Sequence, residues 1–156
     1  MALSIPVAEF WQRFLAQNPE LDAARFYEAF SFGDSEDLAD SLADLVLRGV
    51  KRATAGSIAS YEIDGGRAPR PGDLSIVTDG RGKPLCVIET LQVDVRRFGD
   101  VDAEFAAVEG EGDGSLAYWR EAHAAYFERE AAWTGQAFSE DLLLACERFR
   151  LVYQEA

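Results

Sequence analysis

The stretch LSIVTDGRGKPLCVIETLQVDV, Leu74 to Val95, decides the fold. Two runs rich in Val, Ile and Thr flank a break at Gly80-Arg81-Gly82-Lys83, and that pattern predicts two strands joined by a turn. Working outward, the Gly/Pro loop DGGRAPRPGD (64–73) separates this pair from SIASYEI (57–63), whose composition predicts another strand. Within that loop RAPRPGD reads as the turn that enters the strand at Leu74, with phosphate contact as the alternative. LLLACERFRLVY (142–153) predicts a closing strand, and Glu89, central in an apolar run, is read as structural.

Helical patterns flank the strands. In PVAEFWQRFLAQN (6–18), Pro6 suits a first turn, Phe10, Trp11, Phe14 and Leu15 form one apolar stripe, and Asn18-Pro19 ends it. A shorter helical piece is expected from Asp22 to Phe30. In GDSEDLADSLADLVLRG (33–49), Asp34 or Ser35 can cap, Leu38, Leu42, Leu45 and Val46 recur at helical spacing, and Gly49 fits the stop. Further helices are expected over Asp102–Val108 and from Ser115 to about Trp133. Helices, a mostly antiparallel β-meander, helices again and a final strand predict an α+β fold, with a small, partly closed β-barrel and helices packed outside. With 156 residues, one domain over 1–156 is expected.

Bulk properties narrow the function. MALSIPVAEF lacks the charged and apolar regions of an export signal, and no apolar run is long enough for a membrane span, so a cytoplasmic protein is expected. Cys86 and Cys146 lie in apolar runs and read as buried thiols. With one histidine, a Cys/His zinc cage has too few ligands, and no metal or cofactor is expected. The net charge of −13 is unevenly spread: residues 48–97 hold nine Lys/Arg against six Asp/Glu, and the rest holds six against 22. That balance suits a short single strand or one nucleotide better than long duplex DNA.

Three places can carry chemistry. In RGVKRATAG (48–56), Lys51 stands three residues before Thr54, which in a helical turn places both on one face. Arg48 and Arg52 beside it would lower the lysine pKa, and a neutral amine next to a hydroxyl is a nucleophile pair; a capping threonine with solvated cations is the bland alternative. In FAAVEGEGDGS (105–115), Glu109 and Glu111 alternate with glycines, either folding carboxylates inward or forming a flexible acidic cap; the spacing lacks a calcium-loop pattern. In YWREAHAAYF (118–127), Trp119, His123 and Phe127 make one helical stripe, where a lone histidine reads as a core-edge residue, while Arg120 and Tyr126 lie off it.

FGDSEDLADSLADLVLRGVKRAT, RPGDLSIVTDGRGKPLCVIET and FAAVEGEGDGSLAYWREAHAAYF together resemble an ASCH domain, from about Phe32 to Tyr153. The resemblance implies a PUA-like β-barrel with helices around a cleft, an association with RNA, and an N-terminal helical extension (1–31) ahead of an ASCH core (32–156). Some small bacterial members are amidohydrolases that deacetylate N-acetylated cytidine with a lysine, a threonine three residues later and a glutamate. Here those positions are Lys51, Thr54 and Glu109. Other members are ribonucleases, which would use the same cleft on single-stranded RNA, and others are non-catalytic RNA-binding modules. In the smallest deacetylating members the glutamate is not followed by GEGD, so Glu111 could replace or assist Glu109. Expected ligand contacts are Arg48, Arg52, Tyr61, Glu111, Trp119 and Arg120, and the expected partner is RNA or a modified nucleoside.

Overall fold

The computed structural model describes residues 3–63 and 65–155, so Asp64, first in the expected loop, lies outside the described residues. The stretch 74–95 forms the predicted hairpin: strands β3 (Leu74–Thr78) and β4 (Pro84–Arg97) pair antiparallel, Leu74 opposite Glu89 and Ile76 opposite Val87. Asp79 closes the turn, its Oδ1 accepting the backbone N–H groups of Arg81 and Lys83. β4 then pairs along most of its length with the last strand, β5 (Leu143–Gln154).

Two further strands complete the sheet, and neither lies where the sequence pattern predicts. Phe26–Phe30 is strand β1, preceded by a 3₁₀ turn at Ala23–Arg25, not a helix. Its aromatic-rich FYEAF run pairs parallel with the fully buried β3, and that long-range ladder overrides a short helical pattern. The strand expected at 57–63 lies earlier, as β2 (Ala53–Ser57). The Ser57 hydroxyl accepts the N–H of Ser60, which starts a short helix, α3 (Ile58–Glu62), where alternation suggested a strand. The sheet order is β1-β3-β4-β5-β2, with only the β1–β3 pair parallel. The α+β class stands, but the barrel does not close: β1 and β2 are the two edges of an open sheet.

Helices cover both faces. α1 (Ile5–Gln17), capped by Ser4, buries Val7, Phe10, Trp11 and Phe14 against Leu74, Ile76 and Val87. On the opposite face α2 (Glu36–Leu47), capped by Ser35, buries Leu42, Ala43 and Val46 against Val77, Cys86, Ile88 and Phe149. α4 (Ala103–Glu109) and α5 (Leu116–Thr134) enclose Phe105, Trp119 and Phe127 with Leu144 and Cys146, which alternate along β5 with Glu147 and Phe149 and so point away from the α2 side. Alternation along β3 thus sends Leu74 and Ile76 to α1, and leaves Ser75 and Val77 on the α2 side. Both cysteines are free and buried. No helix among the described residues is long and apolar enough to cross a membrane.

Candidate functional site

Lys51 follows α2 in the link to β2 and is 1% exposed. Its Nζ donates to the Ala53 carbonyl at 2.8 Å and to Glu111 Oε2 at 2.7 Å. Glu109 Oε2 lies 3.8 Å away, and the Phe32 ring centroid 5.1 Å away. Glu109 is the last residue of α4 and is fully buried. Gly110 follows in the left-handed region (φ 70°), where an added Cβ would collide with the Val50 carbonyl oxygen. Glycine here lets the chain press against the Lys51 segment, so Glu111 reaches the same ammonium from the other side of the turn.

His123 completes this cluster from α5. Its Nδ1 lies 2.9 Å from the Trp119 carbonyl, which can only accept, so Nδ1 carries a proton. Nε2 lies 3.1 Å from Glu109 Oε2, an ion-pair distance off the line of a hydrogen bond, and the ring stacks on Trp119 at 4.2 Å. Burial alone would push the Glu109 carboxyl up, but Lys51 and His123 together pull it below the ordinary range. Burial also opposes protonation of His123, and Glu109 outweighs it, so the histidine pKa is raised. Glu111 is raised as well, by burial and by Glu109 against the opposing pull of Lys51. Ligand atoms of Glu109, Glu111 and His123 lie within 4.8 Å of one another, close enough to share an ion. The Lys51 ammonium already pairs with the Glu111 oxygen and supplies positive charge to this cluster.

Thr54, on β2, lies between two cavities that share Phe32, Gly33, Thr54, Ala55 and Tyr126 and so form one cleft. The smaller lobe, about 110 Å³, is lined by Lys51, Glu111, His123, Leu42 and Tyr118. The larger, about 170 Å³, is lined by Tyr27, Glu28, Tyr61, Ser75, Glu130 and Glu147. No hydrogen bond among the described residues holds the Thr54 hydroxyl, so it is free to meet a ligand in either lobe.

The ASCH domain family model matches residues 28–153. The chain belongs to the ASCH family. It is a family linked to RNA binding. A high-resolution crystal structure of an ASCH domain from Lactobacillus crispatus JV V101 superposes with a TM-score of 0.82 at 40% identity, over 94% of this chain and 96% of that one. A crystal structure of a protein from Enterococcus faecalis V583 superposes with a TM-score of 0.84 at 35% identity, over 94% and 88%. No curated protein matches the chain.

Within this ASCH fold, Lys51, Glu109 and Glu111 converge, and Thr54 shares the small lobe with Lys51. Lys51 and Thr54 do not belong to one helical turn, since Lys51 precedes β2 and Thr54 lies in it. The like-charge argument for Lys51 also fails: Arg48 is exposed and pairs with Asp44 at 2.9 Å, so carboxylates, not arginines, surround the ammonium. Arg52 lines another groove, of about 310 Å³, with Leu91 and Arg148, which Lys51 also borders. Arg120 is exposed, lining neither lobe, and Trp119 is buried against His123 instead of facing the cleft. Tyr61 does line the large lobe. His123, read from the sequence as a core-edge residue, stacks on Trp119 and also turns its Nε2 towards Glu109. The sequence reading passed over Glu28 and Glu147, for which the available signal was a carboxylate inside an apolar run, FYEAF and ACERF.

Proposed function

We propose that the cleft hydrolyses the amide of an N-acylated nucleobase, free or in single-stranded RNA, with Thr54 as nucleophile and Lys51 as its base. The carrying observation is the buried Lys51 ammonium, donating to Glu111, in the lobe that the unpaired Thr54 hydroxyl also lines. A ligand that dries this lobe favours proton transfer from Lys51 to the raised Glu111 carboxyl, leaving a neutral amine and a carboxylic acid. Thr54 Oγ1 then attacks the acyl carbon while its proton passes to the Lys51 amine. The carbon–nitrogen bond breaks as the exocyclic nitrogen takes the Glu111 proton, giving the free base and an ester on Thr54. Water hydrolyses that ester, its hydroxyl going to the acyl carbon and its proton to the Thr54 oxygen. Glu109 stays ionised and positions Lys51 and His123.

The charge of the cleft favours this reading over a ribonuclease. Four glutamates, Glu28, Glu111, Glu130 and Glu147, line the two lobes against two cations, Lys51 and Arg129, whereas Arg48, Arg52 and Arg120 lie outside both lobes. A neutral acylated base meets no repulsion there; a chain of phosphates does.

The test is incubation with N-acetylated cytidine, following cytidine and acetate by chromatography. Turnover is expected, and Thr54→Ala or Lys51→Ala should lose it by about 100-fold or more. No turnover, or equal turnover by Thr54→Ala, ends the proposal. Cutting of single-stranded RNA that Lys51→Ala abolishes would put the ribonuclease reading in its place, and saturable RNA binding without turnover would leave a binding module.

A further inference from the structure

The proposed reaction leaves its second half without a base. Once the carbon–nitrogen bond has broken, Lys51 holds the proton of Thr54 and Glu111 has given its own away, which restores the ion pair between them at 2.7 Å. An ammonium has no lone pair to take a proton from water, and the Glu111 oxygen is held by that ammonium. Water that cleaves the ester on Thr54 therefore needs a base from another side.

The sheet supplies one. Thr54 on β2 is paired with Glu147 on β5, and directly opposed residues of antiparallel strands share a face with Cβ atoms about 4.5–5.5 Å apart. Both residues line the large lobe. Glu147 is 6% exposed, and its Oε2 accepts the Thr90 hydroxyl of β4 at 2.6 Å. Because β5 lies between β4 and β2, the carboxyl is held by one neighbouring strand while Thr54 stands on the other. Oε1 accepts no hydrogen bond among the described residues and keeps contact with solvent. The remaining carboxyls of the lobe are placed differently: Glu130 accepts the Ser57 hydroxyl at 2.7 Å, and Glu28, on the far edge strand β1, is paired with Ser75.

We propose that Glu147 is the general base that drives water onto the acyl ester of Thr54, an assignment that rests on the hydrolase reading of the cleft. The water hydroxyl bonds to the acyl carbon as its proton passes to Glu147. The bond from that carbon to Thr54 Oγ1 breaks as Oγ1 takes a proton from the Lys51 ammonium. The carboxylic acid leaves, Glu147 returns its proton to water, and Lys51 takes one back, so the sum is one water added across the amide. The two lobes thus divide the chemistry at Thr54, with Glu111 the acid of the first half and Glu147 the base of the second. Burial makes Glu147 a stronger base than an exposed carboxylate, raising it to about 7; Glu28 and Asp73 act in the same direction, and Thr90 and Lys51 oppose it.

Rapid mixing of the full chain with N-acetylated cytidine, following cytidine, acetate and intact protein mass in time, tests this. In Glu147→Gln, cytidine should appear in a burst of about one per chain, and the protein should keep the added mass of an acetyl group that the wild type sheds. Steady-state kcat should fall about 100-fold and KM with it, so that kcat/KM, which reports amide cleavage, stays within about threefold. Thr90→Val, which only frees the carboxyl, should lower kcat about tenfold with the same split. Circular dichroism shows whether each variant is folded, and if Glu147→Gln is not, Thr90→Val decides alone. Wild-type turnover with no acetyl retained by the folded variants, or a kcat/KM that falls as far as kcat, overturns the role of Glu147 and leaves the hydrolase reading standing. No cytidine from the wild type ends that reading, and this assignment with it.

Discussion

The two lobes of the cleft bury the same kind of group and treat it oppositely. Behind the small lobe Glu109 faces Lys51 and His123, which line it, and its carboxyl is held below the ordinary range although burial opposes this. In the large lobe Glu28 and Glu147 have no cation at ion-pair distance among the described residues, and burial raises both to about 7. Glu111 stands between these cases, raised by burial and by Glu109 even with Lys51 at 2.7 Å. Depth of burial therefore does not fix the state of a carboxyl in this protein; the count of cations facing it does.

Removing the cation should have the largest effect. Lys51→Met leaves Glu109 and Glu111 buried without their ammonium, and should cost about 3–5 kcal/mol in urea unfolding. A loss under about 1 kcal/mol would show that the small lobe is not held by charge compensation. Gly110→Ala comes next, since it forces a Cβ against the Val50 carbonyl at positive φ. It should cost about 1–3 kcal/mol and lower turnover by moving Glu109 and Glu111, both measurable on one preparation.

The large lobe makes the opposite prediction, in its pH dependence. A carboxyl raised from 4.5 to about 7 on folding binds its proton more tightly in the folded state. Its contribution is present below 4.5 and is lost as pH rises towards 7. His123, also raised, acts in the same direction at higher pH. The wild-type thermal midpoint should fall between pH 4.5 and 7, and Glu28→Gln should flatten that fall. An unchanged slope in Glu28→Gln would mean that Glu28 does not hold its proton. Smallest of all are Arg48→Ala and Arg120→Ala, both exposed and outside both lobes. Each should change stability by less than about 0.5 kcal/mol and leave turnover intact.

How far the sequence carried the fold follows from the range of each interaction. The hairpin in 74–95 was legible because Val/Ile/Thr-rich runs and a glycine-containing turn are local signals. β1 was not, because its partner strand lies more than 40 residues away and five residues of FYEAF show no period of their own. SIASYEI misled because its first serine caps a helix, which alternation cannot reveal. In the site, Lys51, Thr54, Glu109 and Glu111 were reached through spacing and the family resemblance. His123 was set aside because its stripe partners, Trp119 and Phe127, are core residues, and only packing shows Nε2 turned towards Glu109.

By itself the sequence determined the helices α1, α2, α4 and α5, the central hairpin, the α+β class and a short set of reactive side chains, since capping, periodicity and turns act over a few residues. Tertiary structure decided that the sheet stays open, that Arg48, Arg52 and Arg120 lie outside the cleft, and which glutamates meet a cation. Those outcomes depend on pairs such as Lys51 with Glu111 and Thr90 with Glu147, 60 and 57 residues apart, whose meeting no local pattern encodes.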